Sequence, residues 1–194
     1  APGYIETDMT KSIDENIKQK LYEDAIKIAK KVGYVGAGTI EFLISENQYY
    51  FIEMNTRIQV EHPITEMVFD VDLLKNQILS HGGEEILIDS DKLHPKGHSI
   101  ECRITAENPS KNFMPCPGTI KSLHFPGGLG VRIDSHIYAG YRIPPNYDSM
   151  IAKIITFSDS RKNCINKMKV ALKECVIEGV DTIIPFHIKI LENS

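Results

Sequence analysis

No stretch of this 194-residue chain approaches the roughly 18 consecutive apolar residues that a membrane span requires, so no membrane partner is expected. No block of like charge stands out either. With 22 Lys and Arg against 26 Asp and Glu, the formal net charge is −4, which argues against a nucleic-acid partner held by a basic face. Cysteine is scarce. Cys102, Cys116, Cys164 and Cys175 include no C-x-x-C pair, and this usage points to a reducing setting, the cytoplasm or, in a eukaryote, an organelle matrix. Signal peptide, internal repeat and low-complexity tract are all missing. The chain opens on Ala1 without a methionine and breaks off after an apolar pattern at Leu191, so a piece of a longer protein is expected.

What is present has an ordinary globular balance, 42% hydrophobic and 25% charged, enough for one large domain or two small ones with a real core. Ser12-Ile13-Asp14-Glu15 has the form of a capping box. Behind it Ile13, Ile17, Leu21, Ala25, Ile28 and Val32 recur at helical spacing, predicting a helix over about 13–32 that stops at Gly33. Runs 37–45 and 49–55 are rich in β-branched and aromatic residues and flank Glu46-Asn47-Gln48, which predicts a hairpin. A loop, 56–62, follows. Pro63 suits the opening of a short helix, and another helix is expected near 72–80, ending at Gly82-Gly83. Beyond residue 95 the character changes. Strand-like runs 98–106, 118–125, 130–136 and 149–157 alternate with Pro and Gly turns. Ser160 then caps a helix through about Val176, and a short helix is expected near 185–191. The fold class is α+β, with antiparallel strands followed by a packed helix in the second unit.

The chemistry gathers in Phe51–Pro63, FIEMNTRIQVEHP. On an extended strand Glu53 and Asn55 point to one side, with Ile52 and Met54 turned toward a core. A carboxylate beside an amide oxygen is hard-oxygen chemistry suited to Mg²⁺ or Mn²⁺, although two acids and an asparagine on a hairpin also read as a solvated face. Glu41 joins them only if the register allows. An odd loop such as Glu46–Gln48 places Glu41 opposite Glu53, whereas a two-residue Glu46-Asn47 turn would aim it away; the odd loop is expected. Arg57, Gln59 and Glu61 alternate with Ile58 and Val60. An arginine fork holds small oxyanions, and a glutamate beside it can remove a proton; the same two residues equally form a surface salt bridge. Gly127-Gly128-Leu129-Gly130 lacks the Lys-Ser/Thr and the helix of a phosphate cradle and reads as a turn. His94 and His98 are separated by Pro95 and Gly97, which argues against a zinc-binding helix face.

GTIEF (38–42), FIEMNTRIQVEHP (51–63), ECRI (101–104), PCPG (115–118), SHIYAGY (135–141) and YDSMIAK (147–153) occur in this order. Together they resemble the biotin carboxylase family, the ATP-grasp component of biotin-dependent carboxylases, over nearly the whole chain. ATP-grasp ligases in general share the E…E-x-N pattern; RIQVEHP and ECRI are far more specific. The resemblance implies the second half of an ATP-grasp core over 1–94 and the biotin carboxylase C-terminal domain over 95–194. It implies that Glu41, Glu53 and Asn55 hold the divalent ions that bridge ATP phosphates, and that Leu43 joins Glu41 and Glu53 at the ATP site as an apolar contact near adenine. Arg57, Gln59 and Val60, the last through its backbone, match the bicarbonate site. Glu61 matches the base, and Arg103 the group that stabilises the enolate of biotin, so Arg57, Glu61 and Arg103 are the implied catalytic set. A lone strand arginine otherwise reads as a salt-bridging surface residue; Asp148 is its candidate orienting partner.

The implied activity is ATP-dependent carboxylation of biotin on a biotin carboxyl carrier protein, using bicarbonate by way of carboxyphosphate, within acetyl-CoA carboxylase or a related enzyme. A carboxyltransferase would take the product and choose the final acceptor. A homodimer is implied, with Arg132 and the nearby glycine loop as candidate contacts. The family's N-terminal domain, glycine-rich lid and phosphate-binding lysines are not in this sequence, so ATP turnover by the chain alone is not expected. Two alternatives remain: another ATP-grasp ligase of carbamoyl-phosphate synthetase type, or a non-catalytic dimerisation module.

Overall fold

The computed structural model describes residues 13–89 and 93–193. The chain divides between Pro95 and Lys96 into two compact units.

The first unit opens with helix α1, Glu15–Lys31. Ser12 lies outside the described residues. The cap is Asp14, whose carboxylate accepts the Asn16 N–H at 2.9 Å, and Lys30 and Lys31 occupy the last turn, where the helix dipole favours cations. Strands β1, Thr39–Ser45, and β2, Gln48–Asn55, form an antiparallel hairpin tied to α1 by the Tyr49 hydroxyl, which donates to Asp24 Oδ2 at 2.7 Å.

The odd loop is not what forms. Ser45 pairs with Gln48, leaving the two-residue turn Glu46-Asn47, both at positive φ (48° and 62°), as a type I′ hairpin turn requires. Glu41 nevertheless pairs with Glu53, because the register shifts by one residue between Glu41 and Phe42. Phe42 faces Phe51, Glu41 faces Glu53, and Ile52 is the extra residue of a β-bulge. Ile52 does not turn into a core as expected; it is 55% exposed.

Helix α2, His62–Phe69, carries Pro63 in its first turn, and α3, Leu73–His81, is capped by Asp72 through the Lys75 N–H at 2.8 Å. Two buried polar side chains brace this segment, Glu66 between the two helices and Asn76 between α3 and the chain that follows it. Glu66 on α2 accepts the Leu73 N–H at 2.8 Å. Asn76 on α3 donates to the Asp72 carbonyl and accepts the Leu87 N–H, each at 2.7 Å.

The second unit begins with β3, His98–Thr105, and the two-residue β4, Glu107–Asn108. A 3-10 turn, Pro109–Lys111, leads to β5, Met114–Pro115, and then to β6, Ser122–His124, and β7, Val131–Ser135. After these come β8, Met150–Ser158, α4, Arg161–Glu174, β9, Val176–Glu178, and α5, Ile184–Glu192. The main sheet is antiparallel in the order β3-β8-β7. Its central strand β8 buries Ile151 and Ile154, and α4 adds Met168, Ala171 and Leu172 to the same core. Ser160 caps α4 as predicted, accepting from the Asn163 N–H. The helix ends before Val176. Cys175 turns extended and Val176 pairs with His124, because β6 offers a strand edge there. At Gly179 (φ +103°) a Cβ would sit 2.1 Å from the Thr119 carbonyl oxygen, so only glycine fits where the chain leaves β9. The architecture is α+β. The glycine turn before β7 is structural: Lys167 Nζ donates to the Leu129 and Phe157 carbonyls at 3.0 and 2.8 Å.

Asp134 on β7 accepts two hydrogen bonds from Arg132, at 2.8 and 3.0 Å, with Lys153 Nζ 3.4 Å away. Partial burial opposes its ionisation, but the two cations prevail and hold the carboxyl below the usual range. A depressed folded pKa contributes stability above the unfolded value, about 3.9, and that stability is lost as pH falls through the lower folded value. Asp134→Asn should therefore lower the urea midpoint at pH 6, and its difference from the wild-type chain should shrink as pH falls through the lowered value.

Candidate functional site

The bulge in β2 brings three expected residues together. Asn55, the last residue of β2, directs Nδ2 to Glu41 Oε1 at 2.9 Å and to Glu53 Oε1 at 3.3 Å. Two carboxylates thus converge on one neutral amide. Gln59 extends the cluster from the following loop, with Nε2 3.5 Å from the same Glu41 oxygen, a contact the sequence did not signal. Leu43, two residues along β1 from Glu41, is 57% exposed. Among the described residues there is no group of three His, Cys, Asp or Glu side chains placed to hold a metal; the donors here are two carboxylates and amides.

The strand stops at Asn55, so the alternation of Arg57, Gln59 and Glu61 with apolar residues is not a strand pleat. Arg57 is exposed and turns Nη1 to the Ile58 carbonyl at 3.3 Å. Gln59 to His62 forms a tight turn, closed by the His62 N–H to the Gln59 carbonyl at 3.3 Å. Glu61, at φ −81° and ψ 4°, has the conformation of the third residue of a type I turn. Its side chain is exposed immediately before α2. Val60 occupies the second position of that turn. His62 is the residue that sequence reasoning passed over. Its Nδ1 lies 2.7 Å from the Gln59 carbonyl oxygen. The available signal was its place three residues after Gln59 and four before Glu66, on one face of a helix start.

Arg103 stands in the second unit. On β3 it alternates outward between buried Cys102 and Ile104. Its Nε lies 3.8 Å from Glu101 Oε1 on the same face of the strand. Asp148, the expected orienting partner, accepts the Met150 N–H at 2.7 Å. Helix α5 covers the outer edge of β3, with His187 Nε2 at 2.8 Å from the Arg103 carbonyl and the Ile183 N–H on the Thr105 carbonyl at 3.2 Å. Arg132, a candidate dimer contact, is engaged with Asp134 on its own strand.

Comparison with known proteins adds a family. The model described as "Biotin carboxylase C-terminal domain" matches residues 101–194, and that described as "Carbamoyl-phosphate synthase L chain, ATP binding domain" matches residues 4–86. Biotin carboxylase 1 of Bacillus subtilis is 55% identical over 192 residues, covering 98% of this chain and 43% of that protein. The chain belongs to the biotin carboxylase family. The biotin carboxylase of Nostoc sp. is 52% identical over 94% of this chain and 41% of its own length. A crystal structure from Hydrogenobacter thermophilus, a 2-oxoglutarate carboxylase biotin carboxylase domain dimer with MgADP, ADP and bicarbonate, superposes with a TM-score of 0.87. It is 43% identical, over 93% of this chain and 40% of that one. The chain thus spans less than half the length of the biotin carboxylases it matches. Among the described residues no helix is long and apolar enough to cross a membrane, and all four cysteines are free thiols.

Cys102, next to Arg103, is a packing residue: burial, and then the charge of Glu101, push its thiol up to about 12. In the native chain at pH 8, iodoacetamide should modify half-exposed Cys116 at least about tenfold faster than Cys102, because only thiolates react. Peptide mass spectrometry over a time course reads the difference.

Proposed function

We propose that this chain supplies the metal-binding, bicarbonate-binding and enolate-stabilising groups of an enzyme that carboxylates biotin on a carrier protein at the expense of ATP. One observation carries the reading: Glu41, Glu53, Asn55 and Gln59 converge directly ahead of the turn that holds Val60 and Glu61. Identity of 55% to a biotin carboxylase supports it. Residues 1–94 are assigned to the C-terminal part of an ATP-grasp domain and 95–194 to the biotin carboxylase C-terminal domain. The match at 101–194 favours this over a carbamoyl-phosphate synthetase, whose ATP-binding domain description covers only 4–86.

The donor set fits Mg²⁺ or Mn²⁺. Both are hard cations that take carboxylate and amide oxygens, and Asn55 already sits between two carboxylates; a half-turn of its amide would present oxygen in place of nitrogen. Glu41, Glu53 and Asn55 would hold the ion, which when bound neutralises charge on the ATP phosphates. Leu43 would lie against the adenine side of the nucleotide.

Arg57, Gln59 and the Val60 backbone hold bicarbonate in this scheme, and Glu61 takes its proton. The bicarbonate oxygen attacks the γ-phosphorus of ATP, releasing ADP and forming carboxyphosphate. Carboxyphosphate breaks into CO₂ and phosphate, and phosphate removes the proton from the biotin ring nitrogen. Arg103 stabilises the negative charge that moves onto the ureido oxygen while the nitrogen attacks CO₂. The product passes with its carrier to a carboxyltransferase, which selects the acceptor. A homodimer and a reducing compartment, cytoplasm or organelle matrix, complete the proposal; the Hydrogenobacter relative is a dimer.

The test replaces the matching segment of the Bacillus subtilis enzyme with this chain and assays bicarbonate-dependent ATP cleavage with free biotin. The chimera should cleave ATP, whereas the 194 residues alone should not. Arg103→Ala should lower biotin carboxylation roughly 100-fold, the scale of one lost oxyanion donor, with biotin-independent ATP cleavage changed less than about threefold. Equal loss of both activities would remove Arg103 from its assigned role. Glu61→Gln should lose both.

A further inference from the structure

We infer that His62 is a positioning residue for the anion loop: its imidazole clamps the Gln59–His62 turn and thereby sets where Val60 and Glu61 stand. The inference rests on the bicarbonate reading of this loop given above and adds to it a residue that need not touch the substrate.

The turn has four residues, with Val60 and Glu61 in its two central positions. Its own closing bond, from the His62 N–H to the Gln59 carbonyl, is 3.3 Å long, beyond the usual upper range of about 3.2 Å. The imidazole adds a second and shorter bond to the same oxygen, 2.7 Å from Nδ1. A carbonyl can only accept, so Nδ1 carries the proton and the ring is oriented. The other end of the ring is buried. The His62 side chain is 11% exposed, and its buried Nε2, with no hydrogen-bond partner, faces Glu66 Oε2 at 3.9 Å. Glu66 is 7% exposed, and its other oxygen accepts the Leu73 N–H at the start of α3. The ring is therefore wedged between the loop carbonyl and a carboxylate rooted in the α2–α3 pair.

This arrangement takes the geometry of an exposed loop and hands it to buried helical residues. Arg57 bonds only to the Ile58 carbonyl, so it does not close the turn. Without the ring, the Gln59 carbonyl keeps the 3.3 Å bond from the His62 N–H and loses the shorter one. A displacement of about 1 Å in the backbone of Val60 or in the carboxylate of Glu61 is enough to lose roughly 100-fold in a reaction that depends on both. Glu41, Glu53 and Asn55 are held by the β1–β2 ladder, and the turn reaches them only through the long 3.5 Å Gln59–Glu41 contact, so the nucleotide side should be less affected.

Two measurements test this. The first uses the chain itself and needs no activity: amide hydrogen exchange at position 62. Exchange should be at least tenfold faster in His62→Leu and return close to wild type in His62→Asn, whose Nδ2 can stand where Nδ1 does. The second uses the chimera. His62→Leu should raise KM for bicarbonate about tenfold or more, with KM for ATP within about threefold, and His62→Asn should recover most of the loss. Unchanged exchange in His62→Leu, or an asparagine variant as impaired as the leucine one, overturns the clamp. So does a parallel rise in both KM values together with a lower Tm, which is the signature of general destabilisation. Fast exchange in His62→Leu beside a wild-type chimera that never cleaves ATP supports the clamp and refutes the bicarbonate reading, so the two failures are distinguishable.

Discussion

One extra residue in a strand governs the first unit. The Glu46-Asn47 turn, with both residues at positive φ, suits the right-handed twist of a hairpin and sets Ser45 against Gln48. Continued unbroken, that register would put Glu41 opposite Ile52 and aim the two glutamates to opposite faces. The bulge at Ile52 shifts the ladder by one, and Glu41 meets Glu53. The cost is visible: an isoleucine is left 55% exposed in place of packing. Bulges recur beside active sites because they re-aim side chains without rebuilding the sheet. Here the shift assembles a carboxylate–amide–carboxylate cluster at the end of β2, where the chain leaves the sheet for the Arg57–Glu61 loop.

Both units place exposed candidate residues, Glu61 and Arg103, on buried supports. In the first, the His62 ring lies between the Gln59 carbonyl of the Val60–Glu61 turn and the buried Glu66. In the second, Arg103 sits on β3, an outer strand of its sheet. An edge strand exposes unpaired backbone groups, and α5 covers them with the His187 ring and the Ile183 N–H. Cys102 and Ile104, on either side of Arg103, are packed into the core, which leaves the guanidinium no direction but outward. In each case a short polar segment borrows rigidity from elements whose own stability comes from apolar burial.

Much of the fold was legible because it is written in local patterns. The 3.6-residue period of α1, Pro63 at the start of α2, Asp72 before α3 and Ser160 before α4 each carry their structural instruction within a few residues. The boundaries that went astray did so where a competitor was near. Asp14, two residues from Ser12, caps α1. Val176 left its helix because β6 supplied a pairing edge remote in sequence. His62 went unremarked because its neighbours are a backbone carbonyl and a buried glutamate, and neither contact leaves a mark on composition or spacing beyond a single i,i+4 pair.

For the site, the order of residue types in Phe51–Pro63 was enough to propose the chemistry: hard-oxygen donors, a guanidinium and a carboxylate follow one another along a strand and its loop. Their family followed from the same run with ECRI, and the match at 101–194 agrees. The sequence by itself also determined that Glu53 and Asn55 share a face, because strand periodicity is intrinsic to the backbone. It did not determine how Glu41 joins them. A turn type and a bulge can exchange one residue between them with the same pairing as the outcome. Only the tertiary structure decided between them, through the twist that favours a two-residue I′ turn and the extra residue at Ile52 that restores the register.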